Sequence, residues 1–378
     1  MYTVRERLRV RSIPRQAVTI AVALTLAALA LALCGPRAAG VQETPQQPRY
    51  VERVEVSRVI VDVRVLDNRN NPIVDLSLED FAVRIDGKTA RVESARWVGE
   101  HEPRTVPGER AIDTPALPVD STSPGRLIVF LIQKSMEGHR IWGLMTMLIQ
   151  ARSFLDRLTP DDRVAILSFD SHLKIWTDFT NDADRLRHVL KRGILMEEPR
   201  PIQEPTSAQA SPGSISLVGR LPQSRGKKTY NIEKGLRLIA EALEPLPGSK
   251  AIVLLGHGFG QFVPGIRGEL TTSRVDMENG YDESERALIA SRTSVFSLDV
   301  TKADYHSLEL GLQRVSDETG GFYARTHIHP EVAMKKLAGA LAGYYVLIVE
   351  KPEGAPRTGR IDVELTRRKG DVYARSTF

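Results

Sequence analysis

An α/β fold is the class this sequence predicts, with a mostly parallel sheet in the middle of the chain and β segments at both ends. Three observations predict it. From Arg126 onward, short apolar runs such as "RLIVFLIQ" alternate with stretches of helical periodicity. Before Gly99 and after Tyr344 the apolar residues instead alternate with polar ones, at the period of a half-exposed strand. Finally, "DRVAILSF" and "HLKIWTDF" are separated only by Asp170 and Ser171. Two residues permit a hairpin but no parallel crossover, so one of these strands must run antiparallel.

The elements follow in order. "VSRVIVDVRVLD" (56–67) is a strand rich in β-branched residues, followed by the turn "NRNNPIVD". "FAVRIDGKTARVESARWV" (81–98) holds two strands around an Asp86-Gly87 turn. Residues 99–126 are rich in Pro, Glu, Ser and Thr and read as a linker. "RLIVFLIQ" has the unbroken apolar character of a strand buried on both faces. In 141–158, Ile141, Leu144, Met145, Leu148, Ala151, Leu155 and Leu158 fall at three-and-four spacing, predicting a helix with that face inward. "DADRLRHVLKRG" is a second helix, with Gly193 as its stop. Residues 195–228 hold five Pro with many Ser and Gln and read as a long mobile insertion. Ile232, Leu236, Ile239 and Leu243 form one face of a third helix, and "KAIVLLGHG" (250–258) is another buried strand. Alternation continues through "ESERALIAS", "SVFSLDV", "SLELGLQRVSDETGG", "FYAR" and "PEVAMKKLAGAL", with Gly320 and Gly321 expected at positive φ. "YYVLIVE", "RIDVELTRR" and "DVYARST" return to β character.

Composition bounds the rest. The 378 residues suggest two or three domains at roughly 150 residues each. Five Arg between Arg5 and Arg15 precede an uncharged run, Ala17 to Cys34, and then "GPRAAG". This reads as an export signal, with an uncleaved membrane anchor as the alternative. Residues 1–34 carry five Arg and one Glu, so most of the formal net charge of +5 belongs to that segment. No basic run interleaved with aromatics appears, which gives nucleic-acid binding no support. The one cysteine, Cys34, excludes a disulfide within a single chain. "LALC" also resembles a lipoprotein box, except that Leu33 stands where a small residue is expected.

"RLIVFLI", "FLDRLTPDDRVAILSFDSHLKIWTDFT", "SKAIVLLGHG", "SVFSLDV" and "SDETGGFYAR" together resemble a von Willebrand factor type A domain. With "VDVRVLDNRNNPIVDLSLEDFAVRIDGK" before it and "GYYVLIVEKPEG…IDVELTRRKGDVYARSTF" after it, the chain resembles the type A-related proteins abundant in acidobacteria. The resemblance spans about residues 55–378. It implies a doubly wound, mostly parallel sheet of six strands with one antiparallel edge and helices on both faces. It divides the chain into a signal or anchor (1–40), a linker and N-terminal β segment (41–125), the type A domain (126–343) and a C-terminal β segment (344–378) that packs with the N-terminal one.

The resemblance further implies a ligand face at the carboxyl ends of the first and fourth strands of the sheet, where strand order reverses. Many type A domains carry there a metal-ion-dependent adhesion site, with an Asp-x-Ser-x-Ser motif, a Thr and a second Asp. In this chain the leading Asp falls on Gln133, the serines on Ser135 and Glu137, the Thr on Thr229 and the second Asp on His257. A hard ion such as Mg²⁺ wants about six oxygens, with carboxylate to offset its charge. Here only Glu137 offers carboxylate. A Lys134 ammonium about 5 Å away would cost roughly 3 kcal/mol per unit charge at an effective dielectric near 20. The expectation is therefore a degenerate site, with no metal and no other cofactor. Each residue also has a structural reading. Ser135 and Thr229 can cap the helices that follow, Glu137 suits a first turn, and His257 can be a hydrogen-bonded loop residue.

Enzyme motifs do not assemble. "GHGFG" lacks the spacing of a phosphate cradle and reads as a flexible loop, and no Gly-x-Ser-x-Gly elbow occurs. His327 and His329 read as loop residues, and Asp161-Asp162 as a solvated turn. The expected function is an exported (periplasmic, secreted or envelope-anchored) module that binds another protein, touching membrane only through its N-terminal segment. The alternatives are a metal-dependent adhesion module with Glu137 as ligand and an enzyme using His257 and Glu137 as an acid–base pair.

Overall fold

A computed structural model describes residues 57–99, 125–200, 215–221, 223–263, 274–277, 280–356 and 358–378. The expected signal or anchor segment, most of the linker and residues 201–214 of the expected insertion lie outside them.

The described chain begins with β1 (Arg58–Leu66), β2 (Phe81–Ile85) and β3 (Lys88–Gly99), then β4 (Leu127–Gln133) and α1 (Gly138–Phe154), which ends in the turn Leu155–Arg157. Next come β5 (Arg163–Phe169) and β6 (Leu173–Thr180). Helix α2 starts as Ala183–His188 and continues through a π turn, Val189–Gly193, into Ile194–Met196. After α3 (Ile232–Leu243) follow β7 (Lys250–Gly256) and the small hairpin β8 (Gln261–Val263) and β9 (Arg274–Asp276). The remainder is α4 (Tyr281–Ala290), β10 (Thr293–Asp299), α5 (Glu309–Thr319), β11 (Tyr323–Arg325), α6 (Pro330–Leu341), β12 (Gly343–Glu350), β13 (Ile361–Leu365) and β14 (Asp371–Ala374).

The central sheet has the order β11-β10-β7-β4-β5-β6, parallel except for β6, which pairs antiparallel with β5. Both expectations, six strands and one reversed edge, hold. Every residue of β4, β7 and β10 is buried, because helices cover both faces. One face packs Phe130, Ile132, Val253 and Phe296 against α1, α2 and α6. The other packs Leu131, Leu167, Leu254 and Val295 against α3, α4 and α5. From β4 the chain moves to β5 on one side, then returns to β7 on the other. The crevice where strand order reverses thus lies at the ends of β4 and β7.

A second six-stranded sheet, β13-β2-β3-β12-β1-β14, joins strands from both ends of the described chain. All its pairings are antiparallel. The chain end draws its edges together, since the Ile361 amide donates to the Ser376 carbonyl and the Phe378 amide to that of Gly359. Val61, Val63, Val83, Ile85, Leu347 and Val349 fill the interior. Tyr345 stands edge-on to Phe81 and Trp97, at 5.2 and 5.1 Å between ring centres, and its hydroxyl donates to the Ile73 carbonyl. The Asp86-Gly87 turn has both residues at positive φ (49° and 77°), as a type I′ hairpin requires.

Several local expectations need correction. Gly193 does not stop α2: its φ is −54° and the helix runs on to Met196. A Cβ there would lie 3.3 Å from the Trp176 ring, so the glycine serves close packing. Gly320 ends α5 at φ 75°, but Gly321 does not take positive φ; a Cβ on it would strike the Val295 carbonyl. In α1, Met145 points outward while Met147 and Phe154 are buried. The second half of the expected mobile insertion is packed, with Leu217, Val218 and Leu221 buried and Asp178 accepting from the Leu217 amide. Asp162 is also buried, ion-paired with Arg126 and accepting from the Thr159 amide. Among the described residues, no helix is long and apolar enough to cross a membrane.

Candidate functional site

The carboxyl ends of β4, β7 and β10 meet along one edge of the central sheet, and two polar groups of different character stand there. The first contains the residues that the sequence singled out. Gln133, last of β4, is buried, and both ends of its amide are engaged. Its Nε2 donates to the Gly258 carbonyl at 2.9 Å, and its Oε1 accepts from the His257 amide at 3.0 Å. A carboxylate could make only the second of these bonds. Gln133 therefore stitches β4 to the loop after β7.

That loop is tightly seated, against the expectation of flexibility. Gly258 (φ 108°) lies so close to Leu308 that a Cβ would clash, and Phe259 is buried, its amide donating to the Leu308 carbonyl. The Lys134 amide donates to the Phe169 carbonyl at 2.7 Å, tying the start of the β4–α1 loop to β5.

The other predicted residues have local roles. Ser135 Oγ accepts from the Glu137 amide at 3.2 Å, a turn just ahead of α1, whose N-cap position is Glu137. Glu137 pairs with Arg140 at 3.0 Å and lies 3.4 Å from His139. Thr229 is fully buried and donates through Oγ1 to the Arg225 carbonyl. It does not cap α3: Asn231 does, its side chain accepting from the Lys234 amide. His257 is held neutral, its pKa lowered to about 4 by burial and then by the nearby Arg140 charge, against a hydrogen bond with the Lys134 backbone.

The second group has no counterpart among the residues expected from the sequence. Asp299, last of β10, is 2% exposed, and its Oδ2 lies 2.7 Å from His306 Nε2. Tyr323 donates its hydroxyl to Asp299 at 2.9 Å and lies 3.1 Å from Glu309 Oε2. Arg325 grips both oxygens of Glu309, at 3.0 and 2.7 Å. Burial pushes the Asp299 carboxyl up, but the bonds from His306, the Thr301 amide and Tyr323 outweigh it and hold the carboxyl below its usual range. Asp299, His306 and Glu309 come from a strand end, a loop and a helix start, so no local spacing announces them. The one available signal was "SLDV", an Asp closing a strand on the same edge as Gln133 and His257.

At either group a hard cation would have to displace partners already in place. In the first, the amide oxygen of Gln133 is engaged, Glu137 is neutralised by Arg140, and His257 supplies nitrogen. In the second, one donor atom each from Asp299, His306 and Glu309 lie within 4.8 Å of one another. Yet Arg325 and Tyr323 already donate to the carboxylates, and an ion would have to compete with a fixed guanidinium. In the first group, His257 with its pKa lowered to about 4 would be a weak base at neutral pH.

No protein-family model matches the chain, and no curated protein matches it in sequence. Among solved structures it is similar to an aerotolerance-related membrane protein from Bacteroides fragilis, at 15% identity over 57% of this chain and 98% of that one, with a TM-score of 0.37. It is also similar to the vWF domain of the type V pili tip protein Mfa5 from Porphyromonas gingivalis, at 13% identity over 58% and 95%, TM-score 0.35. A third is the PilB minor pilin from Streptococcus sanguinis, at 12% identity over 75% and 86%, TM-score 0.34. Likeness this distant says nothing of what this chain binds. The central sheet nonetheless has the six strands and single reversed edge that the resemblance to type A domains implies.

Proposed function

We propose that this chain is an exported binding or assembly module that engages another protein without a metal ion. Its contact surface is the sheet edge that carries Ser135, Glu137, His257 and the loops around them, with Gln133 and Thr229 as buried supports. The second sheet, built from both chain ends, braces that module. One observation carries the reading: Gln133, on which the resemblance would put the leading carboxylate, spends its amide on Gly258 and His257. On this reading, an interaction that closes the loop stands where one that holds an ion would be.

Thermal unfolding of the chelator-treated chain, with and without Mg²⁺, Mn²⁺ or Zn²⁺, tests this. An ion at about 100 times its dissociation constant adds roughly 2.7 kcal/mol, several degrees in a domain of this size. No shift is expected. A shift of that size overturns the reading in favour of an adhesion site with unusual ligands. Gln133→Asp supplies a second arm, because restoring the carboxylate leaves Arg140 beside His257. It should lower the melting temperature without creating an ion response.

A further inference from the structure

We infer that the outer face of α1 docks on an anionic lipid bilayer. This goes beyond the protein-binding edge and does not depend on it. The two helix layers differ in charge. On α1 with its closing turn, α2 and α6 there are nine Lys and Arg against three Asp and Glu; on α3, α4 and α5 there are four against eight. Arg187 is paired with Asp156 and Asp184, and Lys336 lies over the Phe322 and Tyr373 rings. Arg185, Lys191, Arg192 and Lys335 are exposed and, among the described residues, have no acidic partner.

Between these cationic flanks, α1 turns apolar side chains outward. Trp142 is 62% exposed, Met145 39% and Ile149 52%, at the spacing of one helical stripe, and Met136 in the loop ahead is 94% exposed. A monomer rarely shows so many large apolar side chains together without a use. The stripe lies on the middle helix of its layer, over β4 and between α2 and α6, as a ridge. A flat bilayer takes a ridge with Trp and flexible aliphatic chains at its crest and cations at its sides, the chains entering the headgroup region and the cations meeting phosphate. The uncharged run Ala17–Cys34 adds a second membrane-seeking segment to the same chain, and the two would act together where that run is retained.

Trp142 is also the reporter. Of the three tryptophans, Trp97 and Trp176 are each only 8% exposed. The full chain is mixed with vesicles of phosphatidylcholine alone or with phosphatidylglycerol, each carrying brominated acyl chains, and tryptophan quenching is read. Strong quenching with a blue shift is expected on the anionic vesicles and little on the neutral ones, even where the N-terminal run attaches the chain to both. Trp142→Phe should abolish the signal. Lys191→Gln with Arg192→Gln should weaken the docked state about thirtyfold. Equal quenching on both vesicles, or none on the anionic ones, overturns the inference. So does shielding of Trp142 from acrylamide by an acidic amphipathic peptide but not by anionic vesicles, which would assign the face to a protein.

Discussion

At the amino ends of the central strands a buried cation is held by neutral groups, whereas at the carboxyl ends a buried anion is held by dedicated donors. Arg64, 3% exposed on β1, donates to the Ala340 carbonyl at 3.1 Å, Ser294 Oγ at 2.9 Å and the Gly320 carbonyl at 3.4 Å. The rings of Phe296 and Tyr344 lie 5.4 and 5.3 Å from its guanidinium. Arg292 pairs with Asp62, and Arg375 donates to the Ile60 carbonyl. Every one of these contacts joins the second sheet, or the α6–β12 junction leading to it, to the α/β layers or to itself. Asp299, by contrast, is satisfied within the α/β layers, by His306, Tyr323 and the Thr301 amide. The amino end is a joint between two sheets; the carboxyl end is closed upon itself, with its loops left to face outward.

The largest effect should come from breaking the joint. Arg64→Ala removes a buried guanidinium and leaves two carbonyls and a hydroxyl short of a donor, at a cost of roughly 3–5 kcal/mol. The urea midpoint should fall accordingly. If both sheets still melt in one transition, the joint is only part of what couples them; a split into two transitions would identify Arg64 as the coupling residue.

The carboxyl end should be the more sensitive to pH. His257 has a folded pKa of about 4, below the 6.5 of an exposed imidazole. The unfolded chain therefore takes up this proton first as pH falls. His257 favours folding fully above about pH 6.5, and that contribution declines between pH 6.5 and 4 by roughly 3 kcal/mol. His257→Asn should flatten the stability profile in that window, measured by urea unfolding at several pH values. An unchanged profile would place the proton elsewhere.

Asp299→Asn keeps the shape but offers an amide where His306 and Tyr323 meet a carboxylate, for roughly 2 kcal/mol. Tyr323, whose hydroxyl pKa is raised by burial and then by the Asp299 charge, should then titrate at lower pH, which its absorbance would report. The smallest effect is expected on the outer face of α1. Trp142→Ser should change stability by less than about 0.5 kcal/mol, because the side chain rests on little of its own fold. A larger loss would mean that the stripe packs on the chain itself.

Much of the fold was legible in the sequence because its signals are local. The two-residue gap Asp170-Ser171 forced the antiparallel edge, and the apolar runs 127–132 and 251–255 announced strands covered on both faces. Asp86-Gly87 fixed a hairpin. Balanced local signals left some placements to tertiary packing. Helix α1 is apolar on two sides, so periodicity could not tell that Met147 goes inward and Met145 outward. Glycine at 193 matched a stop, but the Trp176 ring at its surface explains it better.

What the sequence alone determined is most of the strands and helices, the polar residues Gln133 and His257 at the ends of two buried strands, and the charge of each helix, since these depend on residue identity and near neighbours. The tertiary structure decided what these two residues do. Only the crossing of chain from β4 through β5 to β7 sets the Gln133 amide against the backbone of residues 257 and 258, and only the packing of β10, α5 and β11 brings residues 299, 306, 309 and 325 together. A buried polar group must be satisfied by whatever the fold places within about 3 Å, and that distance is set by contacts far apart in the chain.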